Sequence, residues 1–196
     1  LPRIATPKYD MIVPSTGESI KYRPYVVKEE KILLIALESQ SDEAIESAVM
    51  DIINACVESP IKVKSLTTFD IEFMFVNLRA KSVGEGIKVN PPCEHCEEVN
   101  KDLKVDLAKV IVKGLQEDVD MHVKITDDIS IDVIWPTMKN RLTEDDMKTG
   151  TDTLINMVAR SIGIIYSGEE IFTASDSSKK ELVEFVESLG PDQFNV

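Results

Sequence analysis

Cysteine is scarce in this sequence. Three among 196 residues, at positions 56, 93 and 96, are too few and too unevenly placed for the disulfide framework of a small secreted protein. An intracellular compartment is therefore expected. Long apolar runs are missing as well: the longest, residues 32–37, is far short of the roughly 20 residues of a membrane span. Positive charge is in deficit, with 22 Lys and Arg against 35 Asp and Glu, a net charge of -13. Proteins that track phosphates carry clustered Lys and Arg, and here no four consecutive residues are basic. Charge accordingly disfavours non-specific attraction to nucleic acid or anionic membranes, and neither is expected as a partner. The acidic balance serves solubility, or it awaits a basic protein partner.

Equally absent are a Gly-rich phosphate loop, a nucleophile elbow, a paired-His metal motif, internal repeats and low-complexity tracts. No catalytic residue and no cofactor-binding residue is assigned, and a non-enzyme is expected. Leu1 is not an initiator Met, so the sequence is expected to start inside a longer chain. The first ten residues are polar and Pro-interrupted, without a basic-then-apolar leader.

What is present is ordinary globular composition: 43% hydrophobic residues, enough for one compact domain or two small ones. Residues 9–13 and 19–27 read as two strands around a turn at Gly17, with Pro24 marking an edge or a bulge. Residues 29–39 read as a helix that is apolar almost all round and hence buried on more than one side. Ser41 offers an N-cap to a second helix whose stripe runs through Ile45, Ala48, Val49, Ile52, Ile53 and Cys56. Cys56 on that stripe is a core thiol before it is a ligand. Thr67 or Thr68 caps a third helix to about Ser82. Short strand-like runs follow at 87–89, 99–105, 121–125 and 129–134, the last two joined by a turn at Asp127 and Asp128.

Beyond Pro136 the pattern reads as helical. Residues 143–146 resemble a capping box that opens a helix including Leu154, Ile155, Val158, Ile162 and Ile165, weakened locally by Gly163. Asp145 and Asp146 are assigned to capping. A last helix starts at Ser178 with Glu181 completing its capping box, and residues 192–196 look like the first turn of another, so the chain is expected to continue. The fold class is α+β: an N-terminal β-hairpin packed on helices (1–85), a small inserted antiparallel β unit carrying a Cys-pair hairpin (86–135), and a helical C-terminal part (136–196).

One local constellation could bind a metal: Cys93 and Cys96 in CEHC at 93–96. Two thiolates at this spacing on a hairpin tip can clasp one edge of a zinc ion, as in zinc ribbons, but closure takes four ligands. His95, His122 or Cys56 would have to be brought in by the fold. A free dithiol and a redox pair are the other readings, the latter opposed by Glu94, Glu97 and Glu98, which disfavour the thiolate. His122 otherwise reads as a half-buried strand residue, and Trp135 as a core or strand-end anchor.

Three stretches together resemble the T-even-type, contractile-tailed bacteriophage baseplate hub protein family. They are STGESIKYRPYVVKEEKILLIALE at 15–38, FDIEFMFVNLRAKSVGE at 69–85, and the Cys93/Cys96 pair followed by KVDL at 104–107. The likeness covers the N-terminal half and is looser beyond Pro136. It implies a non-enzymatic phage tail protein, either a hub structural subunit or a chaperone of hub and tape-measure assembly. It also implies the host cytoplasm during assembly, the virion baseplate as a destination, and other hub or tape-measure proteins as partners, with a homo-oligomer left open. Family members continue past Phe194, where further zinc ligands could lie. A zinc-ribbon-type adaptor or regulator is the alternative. For partner binding the candidates are Tyr22, Arg23 and Tyr25 on the N-terminal edge strand, where unpaired backbone accepts another chain, and the last helix. Packing of Tyr22 and Tyr25 onto the first helix is the competing reading.

Overall fold

A computed structural model describes residues 5–92, 95–96, 98–99, 102–115, 120–142, 146–147 and 149–194. The chain divides into two compact units, Leu1–Leu115 and Gln116–Val196. Both mix helix and sheet, so the α+β class holds. The strands expected within 86–135 fall on both sides of the division.

In the first unit, β1 (Tyr9–Ile12) and β2 (Ser19–Tyr22) form an antiparallel hairpin with Tyr9 opposite Tyr22. Gly17 makes its turn at φ 68°, in the left-handed region that favours glycine. Pro24 keeps β2 short, and α1 (Val27–Ser39) begins three residues later. Next come α2 (Asp42–Cys56) and α3 (Thr68–Val83). Ser41 caps α2 by accepting from the Ala44 amide at 3.3 Å, and Thr67 caps α3 by accepting from the Asp70 amide at 3.1 Å. α2 packs against both α1 and α3. Ile20, Tyr22, Ile52, Ile53, Cys56, Met74 and Leu78 are fully buried. After α3, β3 (Gly86–Val89) and β4 (Leu103–Asp106) pair as an antiparallel arm, extended by a bridge between Pro92 and Val99.

α1 departs from expectation. Of its residues only Glu29 and Ala36 are buried, while Ile32, Leu34, Ile35 and Leu37 are 42%, 54%, 55% and 49% exposed. An apolar run announces a wish for cover without naming what covers it, and α2 supplies cover along a single face.

The second unit is a four-stranded antiparallel meander of β5 (His122–Lys124), β6 (Ile129–Val133), β7 (Ile162–Ser167) and β8 (Glu170–Thr173). α4 (Gly150–Ser161) lies between β6 and β7 in sequence, and α5 (Lys179–Glu187) and the short α6 (Pro191–Phe194) close the chain. α4 and α5 pack together. The core gathers Ile131, Ala159, Ile162, Ile165 and Val186. The cap on α5 is as expected: Ser178 accepts from the Glu181 amide, and Glu181 accepts from the Ser178 amide at 2.7 Å.

Two expectations are corrected here. The C-terminal part is not all helical, because Ile162 and Ile165 lie on β7 rather than extending α4. The β-branched run around Gly163 pairs with β6 instead. The helix itself opens at Gly150, with Thr149 as its cap accepting from the Asp152 amide at 3.1 Å; residues 143–145 lie outside the described residues. Gly163 is therefore a strand residue, and a Cβ there would lie 2.7 Å from Ile134 Cγ2 and 3.2 Å from the Asp132 carbonyl oxygen. Gly163→Ala is expected to destabilise the second unit by about 1–3 kcal/mol through overpacking, measured by urea unfolding. A change within about 0.5 kcal/mol, the usual range at tolerant surface sites, would show that the approach is not tight.

Candidate functional site

The sequence candidates separate once placed. Tyr22 and Tyr25 are buried, at 2% and 8% exposure, so their side chains pack inside the first unit. The Tyr22 ring lies 5.8 Å from that of Tyr9. Arg23 is turned to internal contacts: its guanidinium donates to Glu29 Oε1 at 2.9 Å, to the Ala55 carbonyl at 3.0 Å and to the Pro24 carbonyl at 3.0 Å. Glu29 also accepts from the Val26 amide at 2.9 Å, which fixes the start of α1 where Val26 has no capping side chain of its own. Burial by itself would raise the Glu29 carboxyl. The Arg23 guanidinium, the Val26 amide and Lys28 together outweigh it and hold the group below the ordinary carboxylate range.

The outer edge of β2 is closed. The Lys21 carbonyl accepts from the Glu58 amide at 2.8 Å, the Lys21 amide donates to Ser59 Oγ at 3.1 Å, and Tyr22 bridges Val57. Since Lys21 turns both backbone groups away from β1, its cross-strand partner Asp10 turns its own away from β2. The open edge of the hairpin is thus that of β1, at Asp10 and Ile12. Among the described residues no backbone bond reaches it, and Ile12 is 62% exposed.

Of the metal candidates, Cys93 lies outside the described residues. Cys96 is exposed, on the stretch between Pro92 and Val99. Cys56 is buried on α2, and burial pushes its thiol up to about 11, a poor source of thiolate. His122 Nδ1 is 2.7 Å from Asp132 Oδ1, and Tyr166 donates to Asp132 Oδ2 at 2.7 Å. The His122 and Tyr166 bonds hold the Asp132 carboxyl below its usual range. Among the described residues no three His, Cys, Asp or Glu side chains are grouped to hold a metal. Cys93 and Cys96 could supply two thiolates; further ligands would have to join them. The fully buried core residues of the first unit lie on its hairpin and helices rather than on this stretch, so chelation is expected to leave the melting temperature within about 2 °C. Zinc analysis of the full chain and of Cys93→Ser checks this: bound zinc lost with Cys93→Ser, together with a large drop in melting temperature, would show a structural metal.

Two buried carboxylates have roles that the sequence reading did not assign. Asp70, at the third position of α3, ties the β1–β2 turn to the helix by accepting from the Ser15 amide and hydroxyl at 2.9 and 2.5 Å. Asp146, read as a cap, is fully buried and pairs with Arg160 at 2.6 Å and with Lys179. Arg160 and Lys179 border a cleft of about 350 Å³ whose walls include Ile134, Ile162, Ala174 and Leu182. The signal for Asp70 was Thr67 three residues before it; for Asp146 no local signal exists.

No helix among the described residues is long and apolar enough to cross a membrane. The described residues thus combine an open strand edge at β1 with an exposed apolar face on α1. Residues 6–196 match the family model described as T4 bacteriophage base plate protein, and the chain belongs to that family of phage baseplate proteins. The match to this baseplate family spans both units. No curated protein and no solved structure matches the chain. Membership places the chain among virion-associated structural proteins that meet other baseplate proteins.

Proposed function

We propose that this chain is a non-enzymatic component of the baseplate hub, joining hub or tape-measure proteins in the host cytoplasm as the tail is built. The match across residues 6–196 carries the reading. The open edge of β1 supports it, because unpaired N–H and C=O groups with an exposed Ile12 beside them accept a strand from another chain. Tyr22, Arg23 and Tyr25 then serve the surface from behind, by seating the hairpin on the helices and leaving β1 outermost. Retention in the finished particle separates a hub subunit from a chaperone.

Co-expression with each hub and tape-measure protein, followed by size-exclusion chromatography, is the test. A stable complex is expected, weakened by Ile12→Pro, which removes a donor from the outer edge without touching the β1–β2 pairing. A chain that elutes alone in every combination overturns the proposal. Purified virions containing the chain identify a subunit, and virions lacking it identify a chaperone.

A further inference from the structure

We infer that α1 is a self-recognition helix, on which two copies of this chain pair antiparallel about a twofold axis between Leu34 and Ile35. The inference is independent of the hub assignment and uses a different surface from the β1 edge. It begins from the exposed run on α1, where two charges, Lys31 and Glu38, stand among the apolar side chains without an ion-pair partner in the described residues. They are seven residues apart, two helical turns, and so lie along one line of the helix.

The segment KILLIALE at 31–38 reads almost as its own mirror image. Turning one copy end over end about the midpoint of Leu34 and Ile35 sets Lys31 against Glu38 of the copy and Leu34 against Ile35. It also relates Ile32 to Leu37. The same operation exchanges Leu33 and Ala36, the half-buried and buried positions of this run, so the inner face maps on itself and stays inside. At 100° per residue the midpoint of residues 34 and 35 points directly away from the direction shared by Glu29, Leu33 and Ala36. The symmetry axis therefore leaves the helix through the centre of its uncovered face. An isologous contact of this kind repeats each pair twice, so two Lys31–Glu38 pairs form.

Charge selects this arrangement over the alternative. A parallel pair would set Lys31 against Lys31 and Glu38 against Glu38, whereas the antiparallel one opposes unlike charges at both positions. Val27, 78% exposed, falls opposite Asp42 and outside the paired stretch. The contact is short, since 13 residues of helix span about 20 Å. Its area lies at the small end of specific interfaces, under about 1,200 Å² in total, the range of weak and transient contacts.

Sedimentation equilibrium of the full chain, from about 1 µM to about 1 mM to suit a weak contact, is expected to show a monomer–dimer equilibrium. Leu34→Glu is expected to abolish the dimer. Lys31→Glu and Glu38→Lys, each of which opposes like charges twice, should each weaken it about tenfold at low salt. Combining the two restores the unlike pairs and should return the dissociation constant to within about threefold, since paired charge changes compensate only where the two positions face each other. Leu34 and both charges are exposed, so circular dichroism is expected to stay that of the parent. A monomer at every concentration overturns the inference, as does a dimer indifferent to the single charge reversals or one that the double variant fails to restore. A monomer whose α1 is instead covered by a hub protein overturns it too.

Discussion

Replacing Asp70 by alanine is expected to be the most damaging single change to the first unit, lowering its stability by about 3–4 kcal/mol. The carboxylate is fully buried and accepts four hydrogen bonds: Ser15 amide at 2.9 Å, Ser15 hydroxyl at 2.5 Å, Thr67 amide at 3.1 Å and Thr67 hydroxyl at 2.6 Å. Half of these complete the capping box of α3, and half span 55 residues to hold the hairpin turn. Losing the cap alone costs about 1 kcal/mol. The larger part comes from leaving the buried Thr67 amide and the half-buried Ser15 amide without this acceptor, since an unmet buried donor carries its full desolvation penalty of about 1–3 kcal/mol. Asp70→Asn keeps the shape but replaces an acceptor with a donor that faces other donors, so it should recover only part of the loss. Urea unfolding followed by far-ultraviolet circular dichroism measures the effect. A cycle with Ser15→Ala isolates the long-range half, and a coupling near zero would show that the turn is held by something else.

In the second unit the corresponding change is Asp146→Ala, with an expected loss of about 3–5 kcal/mol. Asp146 is fully buried, and its main partner Arg160 is largely so, with a guanidinium Nε that is buried and has no hydrogen-bond partner among the described residues. Without the carboxylate, Arg160 remains in the cleft wall as an uncompensated charge. Lys179 is half exposed and turns to water at little cost. The logic gives a sharp control. Arg160→Met in the Asp146→Ala background removes the stranded charge, and a large fraction of the stability should return, because a buried pair replaced whole by apolar groups is often neutral. Trp135, the only tryptophan, belongs to this unit and provides a fluorescence readout. A double variant no more stable than Asp146→Ala would show that the carboxylate acts through packing rather than charge.

These two carboxylates also mark what could be read from the sequence and what could not. The caps at Ser41, Thr67 and Ser178 were legible because a capping hydroxyl and the amide it accepts from lie three residues apart. The hairpin at Asp127 and Asp128 was legible for the same local reason. Asp146 was not, since its partners are 14 and 33 residues away and a carboxylate beside a helix start has a sufficient local explanation. Ile155, Val158, Ile162 and Ile165 keep helical spacing across the end of α4, and only pairing with β6 makes the last two a strand. Likewise the apolar character of α1 was plain, but its exposure depends on which neighbours the fold supplies. For the candidate site, Tyr22, Arg23 and Tyr25 read in the sequence as an edge strand open to another chain, and the closure of that edge by residues 57–59 lay beyond the reach of any local pattern.

The pairing of the strands has a consequence for how the chain emerges from the ribosome. β1–β2, β3–β4, β5–β6 and β7–β8 each join neighbours in sequence, and only β6–β7 must wait for a helix to be made between them. Such local pairings keep contact order low and folding fast. The first unit ends at Leu115, so its hairpins, its helices and the outward edge of β1 can be in place while the second unit is still being translated. On the proposed role of the β1 edge, a nascent chain would present that edge to its neighbours before synthesis is complete, and the order of translation would enter the order of assembly.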